Sequence, residues 1–276
     1  MRTVQSAPAS PLLRPFVRAF AQRTATGVFE AQPMPAFLET VIHFDFGDRP
    51  IVGSDAGRLE SNSPLAVVGP HTRAGISLSF EGSVDSFAIF LQPAALWSLF
   101  GVPTSEVNAT NFAAADVIGR RVEDLWYLMA DTPDFGERVR AAETFLLAYA
   151  AVKREHTVST AAAAELARQG GRIAVHDLSS RMNFSVRQLE RAFLRDMGIP
   201  PMRFARVARF QAALDARVAK PDRSWLRIAI DSGYHDQMHL VHDFQTFSGS
   251  SPTFTLERLG DSRPSALAAS HGSDLQ

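Results

Sequence analysis

Arg187, Glu190 and Arg191 lie three and one residues apart in the last third of the chain, close enough to share one helix face. Their side chains suit the edges of base pairs. A guanidinium bonds bidentately to guanine O6 and N7, and a carboxylate accepts from the N4 amine of cytosine. About fifty residues further on, Gln237, Met238 and His242 occupy a comparable stretch, where an amide would suit adenine. These six residues are the candidate base readers, and what must position them is a pair of short helices, each held so that one face stays open.

The sequence contains such a pair as an internal repeat. DLSSRMNFSVRQLERAFLRDMGIPP can be laid over RIAIDSGYHDQMHLVHDFQTFSGSSP. Leu178 then matches Ile228, and Phe184 matches Tyr234. After one extra residue, His235, Ser185 matches Asp236, Leu189 matches Leu240, Phe193 matches Phe244, Gly198 matches Gly249 and Pro201 matches Pro252. Each half reads as a short helix, a tight turn and a second helix. Asn183 and Gly233 supply the turn residue that tolerates positive φ. Ser185 and Asp236 follow as N-caps, and the two glycines stop the second helices. Leu189 with Phe193, and Leu240 with Phe244, are four apart and face inward. Between the halves, PPMRFARVARFQAALDARVA predicts a long helix with Arg203, Arg206 and Arg209 at three-residue intervals. Its length would set the two second helices about one turn of DNA apart. Arg195, Arg203 and Arg206, with the cap residues Ser185 and Asp236, are expected against the DNA backbone, where contacts fix register.

LSSRMNFSVRQLERAFLRDMGIPPMRFARVARFQAAL and IAIDSGYHDQMHLVHDFQTFSGSSPTF resemble the two helix-turn-helix units of AraC/XylS-type regulators, over roughly 170–256. The resemblance implies an all-helical DNA-binding domain of about seven helices that engages two successive major-groove segments. GPHTRAGISLSFEGSVDSFAIFLQPAALWSLFGVPTSEV is similar to the N-terminal domain of one branch of that family, which implies ligand sensing or dimerisation and no particular ligand. This chain departs from the family's pattern, which usually has an arginine at the position of His242 and basic residues near Gln245 and Thr246. Residues 224–260 hold two basic side chains against four acidic ones, whereas 181–209 hold seven against two. The first unit is therefore expected to anchor binding, since each neutralised phosphate adds affinity through counterion release.

Composition narrows the alternatives. The formal charge of −1 hides a division: residues 1–152 carry net −5 and residues 153–260 net +5. With no cysteine, thiol nucleophiles, disulfides, Cys-ligated zinc and alkyl-acceptor thiols are excluded. No Ser-His-Asp set, glycine-rich phosphate loop or HExxH helix is present, so no catalytic residue, cofactor or metal is expected and the chain is not read as an enzyme. No run approaches the roughly 18 apolar residues of a membrane span, and MRTVQSAPAS lacks the order of a secretory signal. A cytoplasmic, nucleoid-associated location is expected.

The expected architecture is an α+β N-terminal domain, a small β-rich module followed by helices, and an all-α C-terminal domain with two helix-turn-helix units joined by a long helix. Residues 1–155 would form the effector-sensing or dimerising domain and 156–260 the DNA-binding domain, with units at about 172–198 and 224–249 and a disordered tail at 261–276. In VIHFDFG, Ile42, Phe44 and Phe46 alternate with Val41, His43 and Asp45 as in a half-buried strand. His43, Asp45 and His71 could line an effector pocket, or could be strand and turn residues with satisfied hydrogen bonds. Trp97, Trp126 and Tyr127 read as core rather than as an aromatic cage. His235, His239 and His242 have a spacing compatible with metal ligation, but His235 falls beside the turn. The partners this reading admits are promoter DNA, a small-molecule effector, RNA polymerase and a second copy of the chain, with no membrane. The competing class is a β-rich metal- or ligand-binding enzyme domain fused to a DNA-binding module.

Overall fold

The computed structural model describes residues 2–54, 57–60, 63–109, 111–152 and 154–259. The tail expected at 261–276 lies outside these residues. Eight strands lie among the described residues: β1 (Arg2–Ala7), β2 (Val17–Met34), β3 (Thr40–Asp45), β4 (Ile51–Ser54), β5 (Gly57–Glu60), β6 (Leu65–Val68), β7 (Ile76–Leu91) and β8 (Asn111–Ala113). They form one antiparallel sheet in the order β1-β2-β7-β3-β6-β8, with the β4–β5 hairpin attached to the first half of β7. Helices α1 (Ala95–Phe100), α2 (Ala114–Ile118), α3 (Arg121–Ala130) and α4 (Phe135–Ala150) close this part of the chain.

Alternation along the strands places Phe20, Ile42, Phe44, Phe87 and Ile89 on one face, where they are buried together with Leu96 of α1, Leu125 and Met129 of α3 and Leu146 of α4. Helix α4 is pinned to the sheet by the buried Arg138. Its guanidinium bonds bidentately to Asp85 at 2.6 and 2.9 Å and lies 4.0 Å from the centre of the Phe46 ring. The glycine and polar residues between ISLSFEG and SFAIFL would divide them into two strand-like runs, but the structure does not divide them. They are a single strand, β7, in which Gly82 pairs with Gly27 of β2. Both glycines have positive φ, 91° and 123°, so the two long strands bend together without interrupting their ladder.

Seven helices follow, as the resemblance implies: α5 (Val158–Arg168), α6 (Val175–Arg181), α7 (Val186–Met197), α8 (Pro201–Ala219), α9 (Trp225–Asp231), α10 (Gln237–Ser248) and α11 (Pro252–Leu259). The stretch 154–170 serves both as connector and as first helix, with Thr157 capping α5. Helix α8 runs through the centre of this core. Phe204 on α8 meets Phe193 of α7 at 5.3 Å between ring centres, and Phe210 meets Phe244 of α10 at 4.8 Å. Ala36, Leu38 and Ala94 from the front of the chain are buried in the same cluster, so the β-rich part is packed onto the helical part. No helix among the described residues is long and apolar enough to cross a membrane.

Candidate nucleic-acid interface

Two helix pairs, α6–α7 and α9–α10, present the six candidate base readers. In the first, Asn183 takes φ 60°, and the N–H of Phe184 donates back to the carbonyl of Ser179 at 3.0 Å. The second repeats this with Gly233 at φ 77° and the N–H of Tyr234 donating to Ala229 at 2.9 Å. Helix α7 opens on a capping box: Ser185 Oγ accepts from the Gln188 N–H at 3.3 Å, and Gln188 Oε1 accepts from the Ser185 N–H at 2.9 Å. Helix α10 opens on Asp236, whose Oδ1 accepts from the His239 N–H at 2.9 Å and lies 3.1 Å from His239 Nδ1. The backbone N–H of His239 holds the Asp236 carboxyl below its usual range. Gly198 and Gly249, at φ 72° and 75°, end the two helices. Every local device read from the sequence is in place.

Leu189 and Phe193 of α7, and Leu240 and Phe244 of α10, are fully buried. This leaves Arg187, Glu190 and Arg191 exposed on α7, and Gln237, Met238, His239 and His242 exposed on α10. The three α7 side chains make no hydrogen bond or ion pair among the described residues, so they are free to bond to a ligand. Ser185 and Asp236 are exposed as well, with their side-chain oxygens engaged in capping. Arg195 is exposed and paired with Asp196 at 2.6 Å.

The long helix departs from expectation. Arg203 and Arg206 are expected at phosphates, but both have partners inside the molecule. Arg203 donates to the carbonyl of Thr72 at 2.9 Å and to its hydroxyl at 3.2 Å. Arg206 binds Asp243 of α10 at 2.6 Å and lies over the Phe247 ring. The third member of the series, Arg209, donates to the carbonyl of Gly171 at 2.7 Å. A three-residue spacing identifies which side chains share a stripe. It does not tell whether that stripe meets solvent or another part of the protein.

The front domain holds the helix-turn-helix units at several points. Arg18 of β2 is buried between Glu39 and Asp215, the latter on α8. Gln211 of α8 donates to Glu39 at 2.8 Å. Burial alone would push the Glu39 carboxyl up, but Arg18 and Gln211 hold it below its usual range. Asn108 donates to the carbonyl of Gly198 at the end of α7 (3.3 Å), and the N–H of Ala36 donates to Phe247 near the end of α10 (2.7 Å). Helices α7 and α10 and their connector α8 are therefore tied to the front domain. A cleft of about 260 Å³ lies between the two parts, with Arg14, Arg18 and Glu39 on one wall and Arg168, Arg172 and Gln211 on the other. None of this network was visible in the sequence, because each tie joins residues far apart along the chain.

His43 and Asp45 sit on one face of β3 with His43 Nδ1 3.3 Å from Asp45 Oδ2, and the buried Asp45 Oδ1 has no hydrogen-bond partner. His71 is not with them. It bridges Phe37, six residues before His43, whose own partner across β6 is Ala66; at about 3.3 Å per residue this is on the order of 20 Å away. Burial lowers the His71 pKa. Trp126 is partly buried in the front core, as expected, whereas Tyr127 is exposed. The rings of His235 and His239 stack with centres 5.9 Å apart.

A family model described as a helix-turn-helix domain matches residues 178–258. No curated protein matches the chain. Among solved structures, ToxT from Vibrio cholerae is similar at 9% identity and a TM-score of 0.52, covering 94% of this chain and 98% of that one. ToxT from Vibrio cholerae bound to an unsaturated fatty acid matches at 10% identity and a TM-score of 0.50, over 92% of this chain and 95% of that one. ToxT from Vibrio cholerae bound to (E)-4-(8-methylnaphthalen-1-yl)but-3-enoic acid matches at 9% identity and a TM-score of 0.51, over 94% and 98%. At such identities the likeness is one of fold, and it extends over both domains. Residues 178–258 thus carry a helix-turn-helix domain, built as two capped units that lie behind a β-rich domain in a fold shared with ToxT.

Proposed function

We propose that the chain regulates a promoter by reading two successive major-groove segments, α7 through Arg187, Glu190 and Arg191 and α10 through Gln237, Met238 and His242. The observation that carries this reading is the exposure of all six side chains on helices that are capped and buried in equivalent ways. Arg195 is left as the backbone contact on α7. Ser185 and Asp236 contact the backbone by orienting the first turn of each helix toward it. Arg203 and Arg206 reach phosphates only if their ties to Thr72 and Asp243 open.

The same reading makes residues 1–155 a regulatory domain that acts on 156–260 from within the cytoplasm. An effector, or contact with a second copy of the chain, would change how α7 and α10 are presented to DNA and to RNA polymerase. Two facts support this: the front domain is bonded to α8 and to the ends of both reading helices, and ToxT has been solved with small organic acids bound. His43 and Asp45 offer such a ligand a paired donor and acceptor, without His71. The test is retention of genomic fragments by the purified protein at two salt concentrations. Enrichment of a site with two elements about one turn apart, weakening as salt rises, is expected. Equal retention of unrelated fragments at both salts would exclude sequence-specific reading.

A further inference from the structure

The repeat sets the two reading helices in register, residue against residue, from their N-caps onward. With Ser185 matched to Asp236, Arg187 occupies the position of Met238, Glu190 that of Val241 and Arg191 that of His242. Each cap side chain accepts from the N–H three residues on, at different backbone angles, and the inward residues Leu189 and Phe193 are buried as Leu240 and Phe244 are, so matched positions point the same way relative to their own units. What differs is the chemistry offered. Where α7 presents a guanidinium, a carboxylate and a second guanidinium, α10 presents a thioether, an isopropyl group and an imidazole.

Met238 is 72% exposed, at the second position of a helix whose first turn is the part that approaches base edges. Val241, one turn on and on the same side, is half-buried. Helix α10 contains no lysine or arginine, and its acidic residue Asp243 is neutralised by Arg206. The helix can therefore gain little from phosphates and has no side chain able to chelate guanine. The apolar feature on the major-groove edge of a base pair is the C5-methyl group of thymine, which apolar side chains contact.

We propose that the second unit selects thymine through apolar contact of Met238, flanked by Val241, with the base methyl group, so that the bound site pairs a guanine-bearing element under α7 with a thymine-bearing element under α10. This rests on the DNA-binding reading above and assigns its second half a specificity different in kind from the first. Burying one methyl group is worth about a fourfold change in affinity, and selection by Met238 should be of that size for each thymine it touches.

The full-length protein is used to select duplexes from a synthetic library with a randomised 30-base-pair core, and the selected duplex is remade with deoxyuridine in place of thymidine in its second element. Deoxyuridine lacks only the methyl group. The expected result is a guanine-containing first element, a thymine-containing second element, and binding weakened about fourfold by each deoxyuridine under α10. In Met238→Ala, whose exposed site should accept alanine without loss of fold, thymidine and deoxyuridine duplexes should bind equally. In Met238→Arg the second element should move toward guanine, as Arg187 dictates in the first. A first element selected beside a second with no base preference would overturn the proposal alone. So would equal binding of thymidine and deoxyuridine duplexes by the unaltered protein. Failure to enrich either element would instead overturn the DNA-binding reading, and this proposal with it.

Discussion

Helix α7 rests on α8 through Phe193 and Phe204, and α10 rests on the same helix six residues further along through Phe244 and Phe210. Both begin after a residue of positive φ and both end at a glycine of positive φ. On the outer surface the likeness stops. The first unit carries free guanidinium groups, and the second carries Met238 and two imidazoles. The two units share what folding requires at matched positions and differ at the solvent-facing ones. Burial and backbone conformation constrain the first set, and only the ligand constrains the second.

If the scaffolds are equivalent, removing the matched core rings should cost the same. Phe193→Ala and Phe244→Ala are each expected to destabilise the protein by about 3–5 kcal/mol, the usual cost of deleting a buried aromatic ring, measured by urea unfolding. A loss confined to one of them would show that only one unit is held by the core. Arg18→Met should be of similar size, because it leaves Glu39 and Asp215 buried without their cation, and breaking such a set typically costs about 3–5 kcal/mol. Since Arg18 acts on α8, which carries both units, any change in DNA affinity should affect both elements of the site equally.

The surfaces should respond unequally. Arg187→Ala is expected to lose about 1–3 kcal/mol of discrimination at one guanine, with preference relaxed there and preserved in the second element. Arg195→Ala should weaken all sequences alike and flatten the dependence of log K on log salt by about 0.9. Both are read by titrating labelled duplexes at several salt concentrations. Unchanged base preference in Arg187→Ala would remove the assignment of α7 as the stronger reader.

Much of this comparison was legible in the sequence, and the reason is locality. Asn183, Ser185 and Gly198 each act on backbone within a few residues of themselves, and so do Gly233, Asp236 and Gly249. Their residue types therefore report the turn, the cap and the stop directly. The inward pairs Leu189–Phe193 and Leu240–Phe244 are equally local, because four residues bring side chains to one face. The intramolecular partners of Arg203 and Arg206 were not legible because they are supplied by Thr72, 131 residues away, and by Asp243 on another helix. Arg18, Glu39 and Asp215 gave no signal at all. An isolated charged residue in an apolar stretch looks the same whether it snorkels to solvent or meets a partner brought by the fold. The long β7 strand escaped for a related reason: Gly82 breaks an isolated strand, but opposite Gly27 it bends a paired one.

The smallest expected difference lies in the caps. Ser185→Ala should cost about 1 kcal/mol, and that cost should not vary across the acidic range, because a hydroxyl does not titrate there. Asp236 does the same work as a carboxylate whose pKa is lowered in the folded protein by the His239 N–H and the neighbouring imidazoles. A group with a depressed folded pKa stabilises fully above its unfolded value, and its contribution is lost as pH falls through the folded one. The start of α10 should therefore loosen on acidification below the ordinary aspartate range while the start of α7 keeps its cap. Amide exchange in the first turns of the two helices, followed from pH 6 to pH 3, would register this as a loss of protection in α10 ahead of α7. In Asp236→Ser the second helix should acquire the pH-independent behaviour of the first. If α10 of that variant still opened before α7, the Asp236 carboxyl would not be the group responsible.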